Sequence, residues 1–160
     1  MAVIGLFDSG LGGLSVARAI LARRRDVSLW VVGDTAHVPY GGRPLDEVRG
    51  FALGLTRYLV EGGAAAVVMA CNISSAVALQ AARDRHDIPV FGTVEAGARA
   101  VCSVADGAIG VMATEGTVNT AAYSQAIAGL APHFDVLEVP CPAFVPLVEA
   151  GRWTSEEAFA

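Results

Sequence analysis

A chain of 160 residues, 54% hydrophobic and 17% charged, holds enough apolar material for one domain with a substantial core, or one domain and part of a second. Its net charge of −5, without Lys/Arg blocks, excludes the electrostatic footprint of a nucleic-acid or anionic-membrane binder. The three cysteines, Cys71, Cys102 and Cys141, form neither a close metal-binding pair nor an even disulfide set, so free thiols in a reducing, cytoplasmic compartment are expected.

In chain order, short apolar runs at 3–7, 27–33, 64–70, 88–94, 108–113 and 134–139 are bounded by Gly, Pro or Asp and are too short for ordinary helices. Helix-length segments with apolar residues near helical spacing separate them, at 14–25, 44–63, 74–87, 95–105 and 117–131. Strand and helix repeated in this order predict an α/β fold, a parallel sheet flanked by helices. Pro44 suits a first helical turn and the Gly62–Gly63 pair a helix end. The stretch "TSEE", Thr154 to Glu157, reads as a capping box that opens a new helix and leaves it unfinished. The longest apolar stretch, 64–71, is much shorter than a membrane span, and no membrane association is expected.

In a parallel sheet, ligands bind beyond the carboxyl ends of the strands, where loops lead into helix N-termini with unpaired N–H groups. Those ends carry "FDSGLGG", "GDTAHVPYGG", "CNISS", "TVEAG" and "ATEGT". The glycines of "GLGGLS" resemble a dinucleotide turn, and Asp34 falls where a ribose-binding acid would stand. Against that reading, Ser15 occupies the third glycine position and Asp8 would sit beside the pyrophosphate. A small ligand approached by backbone fits better.

Cys71 follows an apolar strand and precedes Ser74 and Ser75, which can cap the next helix. Helix N-termini favour thiolates over thiols, so this cysteine is either a small buried hydrophobe or a proton-transfer thiol. Asp8, Ser9 and Asn72 lie at neighbouring strand ends, where they could meet an amino acid's ammonium and carboxylate groups. Tyr40 and Gly41 could close the pocket, and Glu149 could supply charge near a second face. His37, His86 and His133 are scattered without metal-site spacing and receive no catalytic role. Cys102 reads as core, and Cys141, between two prolines, as structural.

Taken together, "IGLFDSGLGGLSV", "GDTAHVPYGGR", "ACNISSA", "IPVFGTVEAGARA", "ATEGTV" and "CPAFVPLVEAG" closely resemble bacterial glutamate racemase over nearly the whole chain. The resemblance implies a cofactor-independent, metal-free enzyme whose two α/β domains enclose glutamate, here residues 1–97 and an incomplete second domain at 98–160. It implies two thiols on opposite faces of Cα, one removing the α-proton and the other returning one, with D-glutamate supplied to peptidoglycan synthesis. Cys71 matches the first of these thiols, with Asp8 assisting. Ser9, Tyr40, Gly41, Asn72 and Thr117 match substrate-contact positions, and Glu149 matches an acidic position near the second half-site. The resemblance allows glutamate as ligand and, at most, a second copy of the chain as partner.

Two positions depart from that pattern. Ile73 stands where a threonine usually follows the CysAsn pair, and the second thiol's GlyCysThrHis-type segment does not occur, so little or no racemase activity is expected of these 160 residues. Two other functions fit the same scaffold: a single-cysteine, decarboxylase-like enzyme, and an amino-acid-binding domain without turnover.

Overall fold

The computed structural model describes residues 1–158. It contains two parallel sheets. The first has four strands in the order β2-β1-β3-β4, from β1 (Ala2–Asp8), β2 (Val27–Gly33), β3 (Ala66–Met69) and β4 (Val90–Gly92). β1 pairs with β2 from Ala2↔Val27 to Asp8↔Gly33 and with β3 from Ile4↔Ala66 to Phe7↔Met69. The chain therefore steps outward from β1 to β2, then returns across β1 to β3. Where the order reverses, beyond the ends of β1 and β3, is the place where open parallel sheets form their ligand crevice.

Helices α1 (Gly13–Arg23), α2 (Leu45–Glu61) and α3 (Asn72–Arg83) join these strands. The pleat of β1 sends Leu6 and Phe7 to opposite faces, and both are fully buried. Leu6 packs in a cluster with Ala17 of α1 and Ala70, while Phe7 packs with Ala52 and Leu59 of α2, Met69 and Ala78 of α3. Each such side chain contributes about 1.5–3 kcal/mol by leaving water, so truncating either to Ala would unseat a helix layer from the sheet.

The second sheet has two strands, β5 (Ile109–Ala113) and β6 (Val136–Pro140), paired from Ile109↔Val136 to Ala113↔Pro140. Ile109 is buried with Ala98 of α4 (Thr93–Cys102) and Ile127 of α6 (Ala122–Leu130). Alternate residues Met112, Leu137 and Val139 face outward and are exposed. Short helices α5 (Glu115–Asn119) and α7 (Phe144–Glu149) follow β5 and β6 respectively.

All six expected strands are present, with four differences in detail. The strand expected over 88–94 is only Val90–Gly92, because Thr93 and Val94 already belong to α4. The helix expected over 117–131 is broken into α5 and α6 at Ala121, whose left-handed backbone (φ 51) cannot continue a right-handed helix. Ser74 and Ser75 are not caps. Asn72 starts α3, Cys71 is the N-cap residue without a side-chain capping bond, and Ser75 Oγ instead accepts from Val94 N at 3.3 Å. Finally, the expected capping box at Thr154 opens no α-helix; a 3-10 turn at Glu156–Ala158 follows, and Ser155 Oγ donates back to Arg152 O.

Candidate active site

Asp8 ends β1 and Cys71 follows β3, so the two central strands deliver them to either side of the crevice. Register fixes this juxtaposition: Phe7 pairs with Met69, and Ala70 N donates to Phe7 O at 2.9 Å. Both residues are buried, Asp8 to 9% exposure and Cys71 to 7%.

The glycine loop after β1 serves Asp8 directly. Gly10 N donates to Asp8 Oδ2 at 3.1 Å. A Cβ on Gly13 would lie 2.7 Å from the Asp8 Cβ and 3.2 Å from those of Ala70 and Leu6 Cδ2, so only glycine lets α1 start this close to the carboxylate. Ser9 lies half-buried beside it.

The loop after β2 continues the site. Asp34 N donates to Asp8 O at 2.9 Å, and the Asp34 carboxylate then gathers its own loop. Tyr40 Oη donates to Asp34 Oδ2 at 2.6 Å, and His37 Nδ1 lies 2.7 Å from Oδ1. His37 stacks on Phe51 of α2 with ring centres 4.1 Å apart, and Arg43 Nε donates to His37 O at 2.7 Å. Tyr40 is 3% exposed and shares an apolar cluster with Val48, Cys71 and Ile73. Burial, then the Asp34 hydrogen bond, pushes its phenol well above the ordinary tyrosine range, so it remains a donor to Asp34.

From the second sheet, α5 closes the other side. Thr114 caps α5, and its hydroxyl lies 3.1 Å from the Thr117 hydroxyl. Gly41 packs against Thr114, since a Cβ there would meet Thr114 Cγ2 at 3.3 Å. Ile73 reaches over Gly116, where a Cβ would collide with Ile73 Cδ1. Thr117 is 1% exposed.

The structure thus brings Asp8, Ser9, Tyr40, Gly41, Cys71, Asn72, Ile73 and Thr117 to one end of the two sheets. Glu149 stands exposed at the end of α7, outside the apolar cluster that holds Cys71. Ile73 is turned into that cluster, 4% exposed, so its position is one of packing. Ser74 Oγ, also buried, has no hydrogen-bond partner among the described residues. Cys102 packs beside Ala98, Ile109 and Ile127, and Cys141 Sγ lies 3.6 Å from Val139 O. Among the described residues, no three His, Cys, Asp or Glu side chains gather as metal ligands, and no helix is long and apolar enough to cross a membrane.

Sequence reasoning singled out Tyr40 but missed the parts played by Asp34, His37 and Tyr123. Asp34, His37 and Tyr40 are spaced i, i+3, i+6 within one loop, a spacing that could have flagged a shared hydrogen-bond network. Tyr123 of α6 carried no such signal, yet its Oη donates to Asn72 Oδ1 at 2.7 Å across 51 residues.

Comparison with known proteins finds relatives over nearly the whole chain. The chain is 44% identical over 155 residues to a glutamate racemase of Corynebacterium kroppenstedtii, covering 96% of this chain and 54% of that protein. A crystal structure of a Bacillus anthracis glutamate racemase isoform superposes with a TM-score of 0.91 at 35% identity, over 99% of this chain and 59% of that one. A Francisella tularensis glutamate racemase, solved in complex with D-glutamate, gives 0.91 at 30% identity, over 98% and 59% respectively. The chain spans a little over half the length of these relatives. Residues 11–151 match the Asp/Glu/Hydantoin racemase family, and the chain belongs to that family of isomerases.

Proposed function

We propose that the chain carries the first half-site of a cytoplasmic, cofactor-independent glutamate racemase serving peptidoglycan synthesis. The observation that supports this most is the placement of Cys71 at the N-cap of α3, across the β1/β3 crevice from Asp8. A weakly acidic α-proton needs a positioned base and stabilisation of the developing negative charge. In this reading the Cys71 thiolate takes the α-proton, Asp8 assists, and the N–H groups at the start of α3 face the growing charge. The glutamate-bound relative supports the same ligand here. Ser9, Gly41, Asn72 and Thr117 would hold its carboxylate and ammonium groups, and Tyr40 would wall the pocket.

Racemisation also requires a proton on the opposite face of Cα. Cys102 and Cys141 both lie outside the cluster that holds Cys71. The chain by itself therefore offers proton transfer on one face, with Glu149 as an acidic group on the side of the second. The purified chain incubated with L- and D-glutamate in D2O should exchange the α-proton of one enantiomer, followed by NMR, and Cys71→Ala should abolish exchange. Exchange that persists without Cys71, or no exchange by the unmodified chain, overturns the assignment of the base; rapid interconversion of the enantiomers overturns the one-face limit.

A further inference from the structure

Tyr123 sits in the first turn of α6, yet its hydroxyl donates to Asn72, the residue that follows Cys71 at the start of α3. Three features hold it there. Ala121, left-handed at φ 51, swings the chain from α5 into α6. Ser124, the next residue, is pinned to the second sheet, its N and Oγ donating to Glu138 Oε1 at 2.9 and 2.6 Å. The phenol ring lies over Gly97 of α4, where a Cβ would stand 3.0 Å from Tyr123 Cε1.

Burial, and then Glu138, raises the Tyr123 phenol above its ordinary range, so it stays protonated through the neutral region. A carboxamide has one acceptor oxygen and one NH2 donor group. With Oδ1 engaged by Tyr123, the end of Asn72 turned away from Tyr123 is a pure donor, and Asn72 remains solvent-accessible. An amide free to flip would present oxygen half the time, which repels a carboxylate.

We infer that Tyr123 is a positioning residue: it locks the Asn72 carboxamide so that the Cys71 pocket offers N–H donors, not an acceptor, to a ligand carboxylate. This rests on the amino-acid reading of that pocket and adds to it the second sheet's control over one ligand contact. Tyr123 acts through Asn72, so the two substitutions must not be additive.

L-glutamate binding to the 160-residue chain would be measured by calorimetry for the unmodified protein, Tyr123→Phe, Asn72→Ala and the double variant. Tyr123→Phe should weaken binding about five- to tenfold, the scale of one hydrogen bond, and by less than about twofold when Asn72 is already Ala. The side-chain amide signals of Asn72, assigned by their loss in Asn72→Ala, should move toward solvent-averaged positions in Tyr123→Phe while backbone dispersion is kept. An equal loss in both backgrounds, or Asn72 signals that do not move, overturns the inference. Should the unmodified chain bind no glutamate, the proposed function fails, and the amide signals alone decide whether Tyr123 locks Asn72.

Discussion

The Tyr40 hydroxyl donates to Asp34 Oδ2 at 2.6 Å, and the Asp34 backbone N–H donates in turn to the carbonyl of Asp8. One tyrosine thereby ties the loop after β2 to the strand end that carries the candidate acid, while its ring packs with Cys71. Tyr40→Phe keeps the ring and removes the bond, and should cost about 1.5–3 kcal/mol because the acceptor is charged. The folded-state pKa of Tyr40 lies above its ordinary value of 10.0, so its contribution is complete below pH 10 and is lost as pH rises beyond it. Chemical denaturation between pH 7 and 11 should show that alkaline decline, and Tyr40→Phe should flatten it.

Ile73 and Gly116 form a matched pair between α3 and α5, with no room for a Cβ on Gly116. Gly116→Ala should destabilise by about 1–3 kcal/mol through overpacking. Ile73→Val removes the methyl in the way and costs about 0.5–1.5 kcal/mol by itself. The double variant should be more stable than the sum of the two losses predicts, measured by urea unfolding; strict additivity would mean the two residues do not meet.

Arg83 of α3 grips Glu95 of α4 with two bonds, 2.7 and 2.9 Å, and its Nε also donates to Val90 O. The hydrogen bonds from Arg83 hold the Glu95 carboxyl below its usual 4.5. Stability from this pair is therefore present above pH 4.5 and is lost as pH falls through the lower folded value. About a third of each side chain is exposed, so the contribution is on the order of 1 kcal/mol despite the bidentate geometry. Glu95→Gln should lower stability at pH 7 by that amount, and the difference from the unmodified chain should shrink steadily as pH falls below 4.5.

Ala121 holds a left-handed backbone that costs an L-residue roughly 1–2 kcal/mol. Ala121→Gly removes that strain while adding freedom to the unfolded chain, for a net gain of about 0.5–1 kcal/mol. A raised melting temperature by calorimetry checks it.

Ala121 also shows where the sequence becomes unreadable. Strand positions were legible because buried parallel strands demand unbroken apolar runs between breakers, and every such run became a strand. A glycine or asparagine at 121 would have announced the break in the helical segment expected over 117–131; alanine, the best helix former, concealed it. Strand ends were legible too, and topology alone sets Asp8 and Cys71 at the carboxyl ends of neighbouring strands. What could not be read were bonds between side chains far apart in the chain, such as Tyr123 to Asn72, because no local spacing encodes them. Ser74 and Ser75 misled for the opposite reason: their composition suits a cap, but Asn72 had already entered the helix.

Tyr40, Val48, Cys71 and Ile73 form an apolar cluster of their own, beside the larger one built on Phe7, and partly buried Val77 packs against both. Small clusters open at lower free energy than a main core. The wall around Cys71 can therefore breathe while the central strands stay shut, and amide protons of the 34–43 loop should be released to solvent long before those of β1 and β3. Ligand entry would then be timed by this minor cluster, leaving the overall durability of the sheet free to be set by residues that never meet the ligand.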